Sequence, residues 1–318
     1  MKDSISHSKP RRYWLSVVAM AVLVAGAFAS VPSIAQNTLV PEGETSPYRA
    51  SAFPDRIVLT ATLDPAHAQT VNWRTRGSPG LHLNAKNVTG ETQKLDAHNG
   101  LAHHHHVTFT DLEPDTLYAY RVRGDNTWSE WFQFRTAQDD FSPHSAIYFG
   151  DAQNAVKSHF SRVIREAYTT APRAQVMVHA GDLVNSGNGD NHDDEWGEWF
   201  DAGSFINSML VNVAVAGNHE HTREANGPRM LVPQWPVHFR FPDNGPAPLK
   251  NTVYYMDYQG VRYIGLDSQQ ALQDEAMLTL QAEWLREVLS DNPNRWTVVS
   301  YHHPMFSVSR GRDNPPLR

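Results

Sequence analysis

The alternation of apolar and polar residues changes character partway along the chain. Over residues 46–137, short stretches alternate apolar with polar side chains and are broken by turn residues. The clearest are 56–63, 70–75, 105–110, 117–123 and 131–136. A period of two places one strand face on a core and the other in solvent. Strands at this spacing, without a convincing helix, predict a β-sandwich. From residue 144 the apolar runs become continuous, at 146–149, 176–178, 211–216 and 297–299, as in strands covered on both faces. Between them lie helical patterns at 158–168 and 271–289. The second carries Leu278, Gln281, Leu285 and Leu289 and is stopped by Asn292-Pro293. A hairpin is predicted over 253–267, turning at Gln259-Gly260. Alternating strand and helix argues for α/β layering. The chain therefore reads as an all-β sandwich over 46–137, followed by an α/β domain of layered β-sheets flanked by helices over 144–318.

Ahead of both lies a different segment. Lys2, Lys9, Arg11 and Arg12 precede an apolar run at 17–29, with Ala27-Phe28-Ala29 or Ser33-Ile34-Ala35 as cleavage sequences. The apolar run is short of the roughly 20 residues a spanning helix needs. Residues 1–35 are read as a signal peptide, so the protein is expected in the periplasm or outside the cell, with no membrane span once the signal is removed. Composition narrows the chemistry. The net charge of −7 and the lack of a basic stripe leave no nucleic-acid-binding signature. With no Cys among 318 residues and 17 His, any metal must be held by imidazole, carboxylate or amide oxygen.

Each of the four continuous runs ends at such a group. They lead to Gly150-Asp151, Gly181-Asp182, Gly217-Asn218-His219 and His302-His303. In layered α/β folds ligands bind beyond the carboxyl ends of the strands. Glycine before the polar residue lets the backbone turn sharply. One Gly-Asp marks only a turn, but four independent strand ends offering Asp, Asp, Asn and His point to a metal centre.

The order Gly150-Asp151, Gly181-Asp182-Leu183-Val184-Asn185, Gly217-Asn218-His219-Glu220 and Val299-Ser300-Tyr301-His302 resembles the calcineurin-like metallophosphoesterase superfamily, and within it the purple acid phosphatases. Leu112, Pro114, Thr116 and Tyr118 similarly resemble the turn of a fibronectin type III domain, which bacterial relatives of those phosphatases carry at the N-terminus. The resemblance implies a hydrolase of small phosphate esters with two divalent or trivalent ions, Fe, Zn or Mn. Asp151 would bind the first metal, Asp182 would bridge both, and Asn218 and His302 would bind the second. His219 would face the substrate, stabilising the transition state or protonating the leaving alkoxide while a metal-bridging hydroxide attacks phosphorus. Asn185 stands where the purple enzymes carry a metal-bound Tyr, and Gln153 where other members carry His. Either amide, or water, would complete the first metal. His303 is the alternative to His302, or a neighbour of the site. The family's closing Gly-His-x-His is not found before Arg318, which reads as C-terminal truncation of the second domain. A phosphodiesterase or nucleotidase on the same site is one alternative. A non-catalytic surface or binding protein with a degenerate phosphoesterase domain is another.

Other features are read more plainly. His192 and His221 are expected on exposed loops, and residues 190–195 as a solvated acidic loop. Trp196 and Trp199 are expected in the core. The run His103 to His106, whose side chains would alternate between two faces, is expected at an exposed loop or strand end.

Overall fold

The computed structural model describes residues 46–77, 81–83, 86–88, 90–185, 192–222 and 227–318. The expected signal peptide lies outside them. Among the described residues no helix is long and apolar enough to cross a membrane.

All five alternating stretches become strands: β1 (Asp55–Thr60), β2 (Gln69–Thr75), β6 (Gly100–Phe109), β7 (Leu117–Val122) and β8 (Phe132–Arg135). Three further strands were not anticipated, β3 (Leu81–Leu83), β4 (Lys86–Val88) and β5 (Glu91–Ala97). β5 is a sheet edge and largely exposed. Its Glu91, Lys94 and Asp96 suit an edge that must resist further pairing, but they hide the hydrophobic alternation. The sheet portion β5-β6-β2-β1 faces the sheet β4-β3-β7-β8 across a core that includes Leu59, Val71, Trp73, Val107, Tyr120 and Phe134. At the turn before β7, the Glu113 N–H donates to the Tyr118 hydroxyl at 2.8 Å. Thr116 Oγ1 donates to the Pro114 carbonyl at 2.9 Å. Tyr118→Phe deletes the first bond and is expected to cost roughly 0.5–1 kcal/mol, read as a lower urea midpoint at unchanged m-value.

The second segment supplies β9 (Ser145–Phe149), β10 (Ala174–His179) and β11 (Val211–Ala214), all parallel, and the sheet β12-β13-β14 (Tyr254–Tyr258, Val261–Gly265, Trp296–Ser300). Its helices are α1 (Ser161–Thr170), α2 (His192–Asn207), α3 (Gln234–His238), α4 (Ser268–Gln273) and α5 (Glu275–Ser290). The β12–β13 hairpin turns at Gln259 (φ 47°) and Gly260 (φ 84°), as expected. The helix expected over 271–289 is instead two. Asp274 is extended, and its carboxylate caps α5 by accepting from the Ala276 N–H at 2.8 Å. β1 pairs in parallel with β11 at Thr60 and Asn212, which makes one seven-stranded sheet, β5-β6-β2-β1-β11-β10-β9.

This shared sheet overturns three of the plainer readings. His104, His105 and His106 lie in β6 and are buried, each under 5 % exposed. His105 faces the sandwich, stacked on Trp73 at 4.9 Å. His104 lies on the opposite face against His238 of α3, ring to ring at 5.0 Å. At these three positions both faces of β6 are covered, so no histidine of this trio reaches water, whereas His103 is half-exposed. Burial pushes His105 down to about 4 and His106 to about 3, which keeps them neutral. The acidic run is likewise structural: residues 190–191 lie outside the described set, but Asp193 and Asp194 are buried at the start of α2. Burial opposes the charge of Asp193, but Arg56 and Arg74 outweigh it and hold the carboxyl well below its usual range. Arg56 Nη1 donates to Asp193 at 2.8 Å, and Arg74 Nη1 approaches its other oxygen at 3.4 Å. His192 is buried too, accepting from Trp196 Nε1 at 3.1 Å, and so is His221. Trp196 and Trp199 are fully buried, as expected.

Candidate metal centre

Because β9, β10 and β11 run parallel, the residues that follow them emerge on one edge. The second sheet is brought there by the Tyr254 hydroxyl, which donates to the Ala214 carbonyl at 2.8 Å. In that sheet β14 runs parallel to β13 and delivers His302 to the same place. Asp151 and Asp182 both adopt φ 51°, and Gly181 φ 84°. Asp tolerates this left-handed region better than most residues. The tight turns aim both carboxylates back over the strand ends. At Gly217 a Cβ would lie 2.2 Å from Asp182 Oδ1 and 2.5 Å from its backbone nitrogen, so only glycine lets these loops meet.

A buried carboxylate clasps the two loops. Glu220 Oε2 accepts from the N–H groups of Asp182 (2.9 Å) and Gly217 (2.7 Å), and Oε1 from those of Leu183 (2.7 Å) and Val184 (3.4 Å). Glu220 is wholly buried. Burial, and then the charge of Asp182, pushes it up to about 7.

The ligand atoms of Asp151, Asp182 and His302 all lie within 4.8 Å of one another. His302 Nδ1 donates to the Ala180 carbonyl at 2.9 Å, which turns Nε2 toward Asp182 Oδ2 (3.1 Å) and Asn218 Oδ1 (3.2 Å). Burial disfavours its charge, but the bond and charge of Asp182 raise His302 to about 9. In return His302, with the N–H of His219, holds Asp182 below its usual range against burial. The His219 ring lies 3.8 Å from Asp182 Oδ2. Gln153 Nε2 reaches Asp182 Oδ2 at 3.1 Å and Asp151 Oδ1 at 3.4 Å. Asn185 is half-buried three residues after Asp182. His303 is turned elsewhere: the Ser268 hydroxyl accepts from its backbone N–H at 3.0 Å and lies 2.9 Å from its Nδ1.

The residues fit a metal. Bonds of about 2.0–2.2 Å to a cation set neighbouring N and O ligands about 3.0–3.4 Å apart, which matches the spacings around His302 Nε2. The donor set is imidazole, carboxylate and amide, suited to Zn, Mn or Fe. The Nδ1 bond to Ala180 is the orienting contact that a ligating histidine needs. The centre thus brings together Asp151, Asp182, Asn218 and His302, with Gln153 and His219 against them.

Sequence reasoning passed over two contributors. Glu220 lies inside the quoted Gly217-Asn218-His219-Glu220 run, yet its burial is not visible in the run itself. Arg229, whose Nη1 donates to the Asn218 carbonyl at 2.7 Å, carries no sequence signal. His221, expected on an exposed loop, is buried, with Nδ1 on the Gly217 carbonyl at 2.8 Å and Nε2 3.5 Å from Asp267.

Comparison with known proteins bears on the whole arrangement. Residues 147–317 match the calcineurin-like phosphoesterase family, and residues 54–136 match the N-terminal domain of purple acid phosphatases. The chain is 25 % identical to purple acid phosphatase 23 of Arabidopsis thaliana over 280 residues, covering 77 % of this chain and 59 % of that protein. It is 26 % identical to a purple acid phosphatase of Glycine max over 213 residues, covering 64 % and 44 %. The chain therefore spans about half the length of these curated relatives. The purple acid phosphatase PPD1 from yellow lupin (Lupinus luteus) seeds shares the fold, with TM-score 0.65 at 16 % identity over 83 % of this chain and 55 % of that one. PhoD shares it at TM-score 0.53 and 13 % identity, over 76 % and 60 %. With residues 147–317 and 54–136 both matched, the chain belongs to the calcineurin-like phosphoesterases, in their purple-acid-phosphatase type.

Proposed function

We propose that the protein is an exported, metal-dependent hydrolase of phosphate esters of the acid-phosphatase kind. The carrying observation is the convergence of Asp151, Asp182 and His302, with Asn218 on His302, at one edge of two packed sheets. Asp182 would be shared between two metal positions, Asp151 would hold the first, and Asn218 and His302 the second. Two cations there, when bound, acidify water and neutralise the phosphoryl oxygens. The protein's own residues do the rest. Glu220 keeps the two ligand loops at fixed separation, and the Ala180 carbonyl holds the His302 ring. Gln153, whose Nε2 lies on Asp151 and Asp182, or Asn185 would supply an amide oxygen to the first position in place of the missing His or Tyr, or water would fill it. The half-buried His219 ring, 3.8 Å from Asp182 Oδ2, would stabilise the transition state or donate a proton to the departing alkoxide. Residues 1–35 act as the export signal, with 46–137 and 144–318 as the two domains.

The test is metal content together with turnover. Two metals per chain and hydrolysis of nitrophenyl phosphate support the reading. No bound metal and no turnover leave a binding protein with a degenerate site. Faster turnover of a diester than of a monoester would shift the assignment to a phosphodiesterase. With Asn185 in place of tyrosine, the iron-loaded protein is expected to lack a tyrosinate charge-transfer band in the visible. A purple protein would refute that ligand assignment.

A further inference from the structure

We infer that Asp267 and Ser268, at the junction of β13 and α4, set the spacing of Asn218 and His302 and so control filling of the second metal position, not the first. This rests on the phosphoesterase reading above and deepens it.

The junction reaches both halves of that position. On one side is His221, three residues after Asn218 in the same loop. Its Nδ1 donates to the Gly217 carbonyl at 2.8 Å, and its Nε2 faces Asp267 Oδ2 at 3.5 Å. Among the described residues that nitrogen has no hydrogen-bond partner, so the carboxylate is what it addresses. His221 is wholly buried and Asp267 is 1 % exposed. On the other side is His303, next to His302. The Ser268 hydroxyl accepts from its backbone N–H at 3.0 Å and lies 2.9 Å from its Nδ1. Leu266 adds a third tie, since its N–H donates to the Ser300 carbonyl at 3.0 Å, at the end of β14.

The junction is itself fixed from behind. Gln281 Oε1 accepts from the Asp267 N–H at 2.9 Å, and Gln281 Nε2 donates to the Asp267 carbonyl at 3.0 Å. Gln281 is buried at a position of α5 where the helical pattern calls for an apolar residue. This two-point bond is its use there. Asp267 Oδ1 accepts from the Gln270 N–H at 3.0 Å, which leaves Oδ2 to His221.

A buried carboxylate–imidazole contact adds little net stability, because desolvation offsets the attraction. What it supplies is direction, and only one metal position needs it. Asp151 and Asp182 follow β9 and β10, whose ladder already sets their separation. Asn218 and His302 follow strands of different sheets, yet their side chains meet at 3.2 Å. Asp267 and Ser268 act on these two ligands through His221 and His303, as positioning residues.

The experiment compares the wild-type protein with Asp267→Asn, His221→Asn and Ser268→Ala, with Tm measured first. His221→Asn keeps a donor for the Gly217 carbonyl and deletes the arm to Asp267. Each protein is titrated with Zn2+, and Asn218→Ala identifies the step that fills the second position. In all three variants that step is expected to weaken about ten- to a hundredfold, the range for contacts that orient metal ligands, while the other step stays within about threefold. Equal weakening of both steps, or no weakening of either, would overturn the inference and leave the junction as a support of the fold. Ser268→Ala, the smallest change, decides if Asp267→Asn does not fold. If the wild-type protein takes up no Zn2+, the phosphoesterase reading fails separately. Amide exchange at Gly217 and His219, whose N–H groups donate to Glu220 and Asp182, then decides. Exchange about tenfold faster in Ser268→Ala and His221→Asn than in wild type upholds the positioning role, and unchanged exchange overturns it.

Discussion

Glu220→Ala is expected to destabilise the metal-free protein by about 3–6 kcal/mol, from three or four buried donors at roughly 1–3 kcal/mol each, with partial relief by entering water. Its two oxygens accept from Asp182, Leu183, Val184 and Gly217. Alanine leaves all four N–H groups facing a void, in a protein whose whole stability is of the order of 5–15 kcal/mol. Glu220→Gln should recover only part, because an amide has one acceptor oxygen and its NH2 would meet N–H donors. Urea unfolding without metal gives the stability, and metal content at fixed free metal gives the second consequence. With the loops untied, Asp182 and Asn218 no longer share one centre, and occupancy should drop. A variant within 1 kcal/mol of wild type and fully metallated would remove the clasp from the account. The acid also sets a pH dependence. Its pKa in the folded protein is raised from 4.5 to about 7, so the folded state binds the proton more tightly than the unfolded chain. That contribution is complete below about 4.5 and is lost as pH rises through about 7. Glu220→Gln should remove this part of the slope and leave that of the buried histidines.

Asp182→Ala should abolish hydrolysis, lowering kcat/KM by more than about a thousandfold, since the residue shared by both metal positions is gone. The fold should survive, because the backbone N–H at this position stays on Glu220. A second readout needs no turnover. Asp182 holds His302 at about 9 against burial, so in metal-free Asp182→Ala the His302 pKa should drop sharply, as followed by NMR titration. Unchanged turnover would sink the assignment of the centre, and an unchanged His302 titration would sink the Asp182–His302 contact.

The two halves of the molecule differed in how much of them could be read in advance. The four apolar runs predicted β9, β10, β11 and β14, and the polar residues after them supplied Asp151, Asp182, Asn218 and His302. For β10 and β11 the reason is that a parallel strand buried on both faces must be continuously apolar, whereas β9 and β14 are sheet edges with exposed Tyr148 and Trp296; at all four the carboxyl end is where the chain first meets solvent and ligand. His103 is half-exposed, but His104 to His106 were misread because the alternation rule assumes a solvent face. At these three positions β6 has none, since α3 covers one side and the second sandwich sheet the other. Asp193 was misread for a related reason. A run of acids looks solvated until the partner arginines, more than a hundred residues earlier in the chain, are brought to it.

What the sequence determined by itself is the local order: which runs are strands, where they stop, and which ligand-type residue stands at each stop. Those follow from side-chain period and from the turn chemistry of Gly and Asp, which act over a few residues. Only the tertiary structure decided that β1 joins β11 in one sheet, that Glu220 clasps two loops, and that Arg229 reaches the Asn218 carbonyl. Each of these depends on backbone groups or charges meeting across the fold. The driving force there is the cost of leaving a buried N–H or charge without a partner, and no pattern along the chain records it.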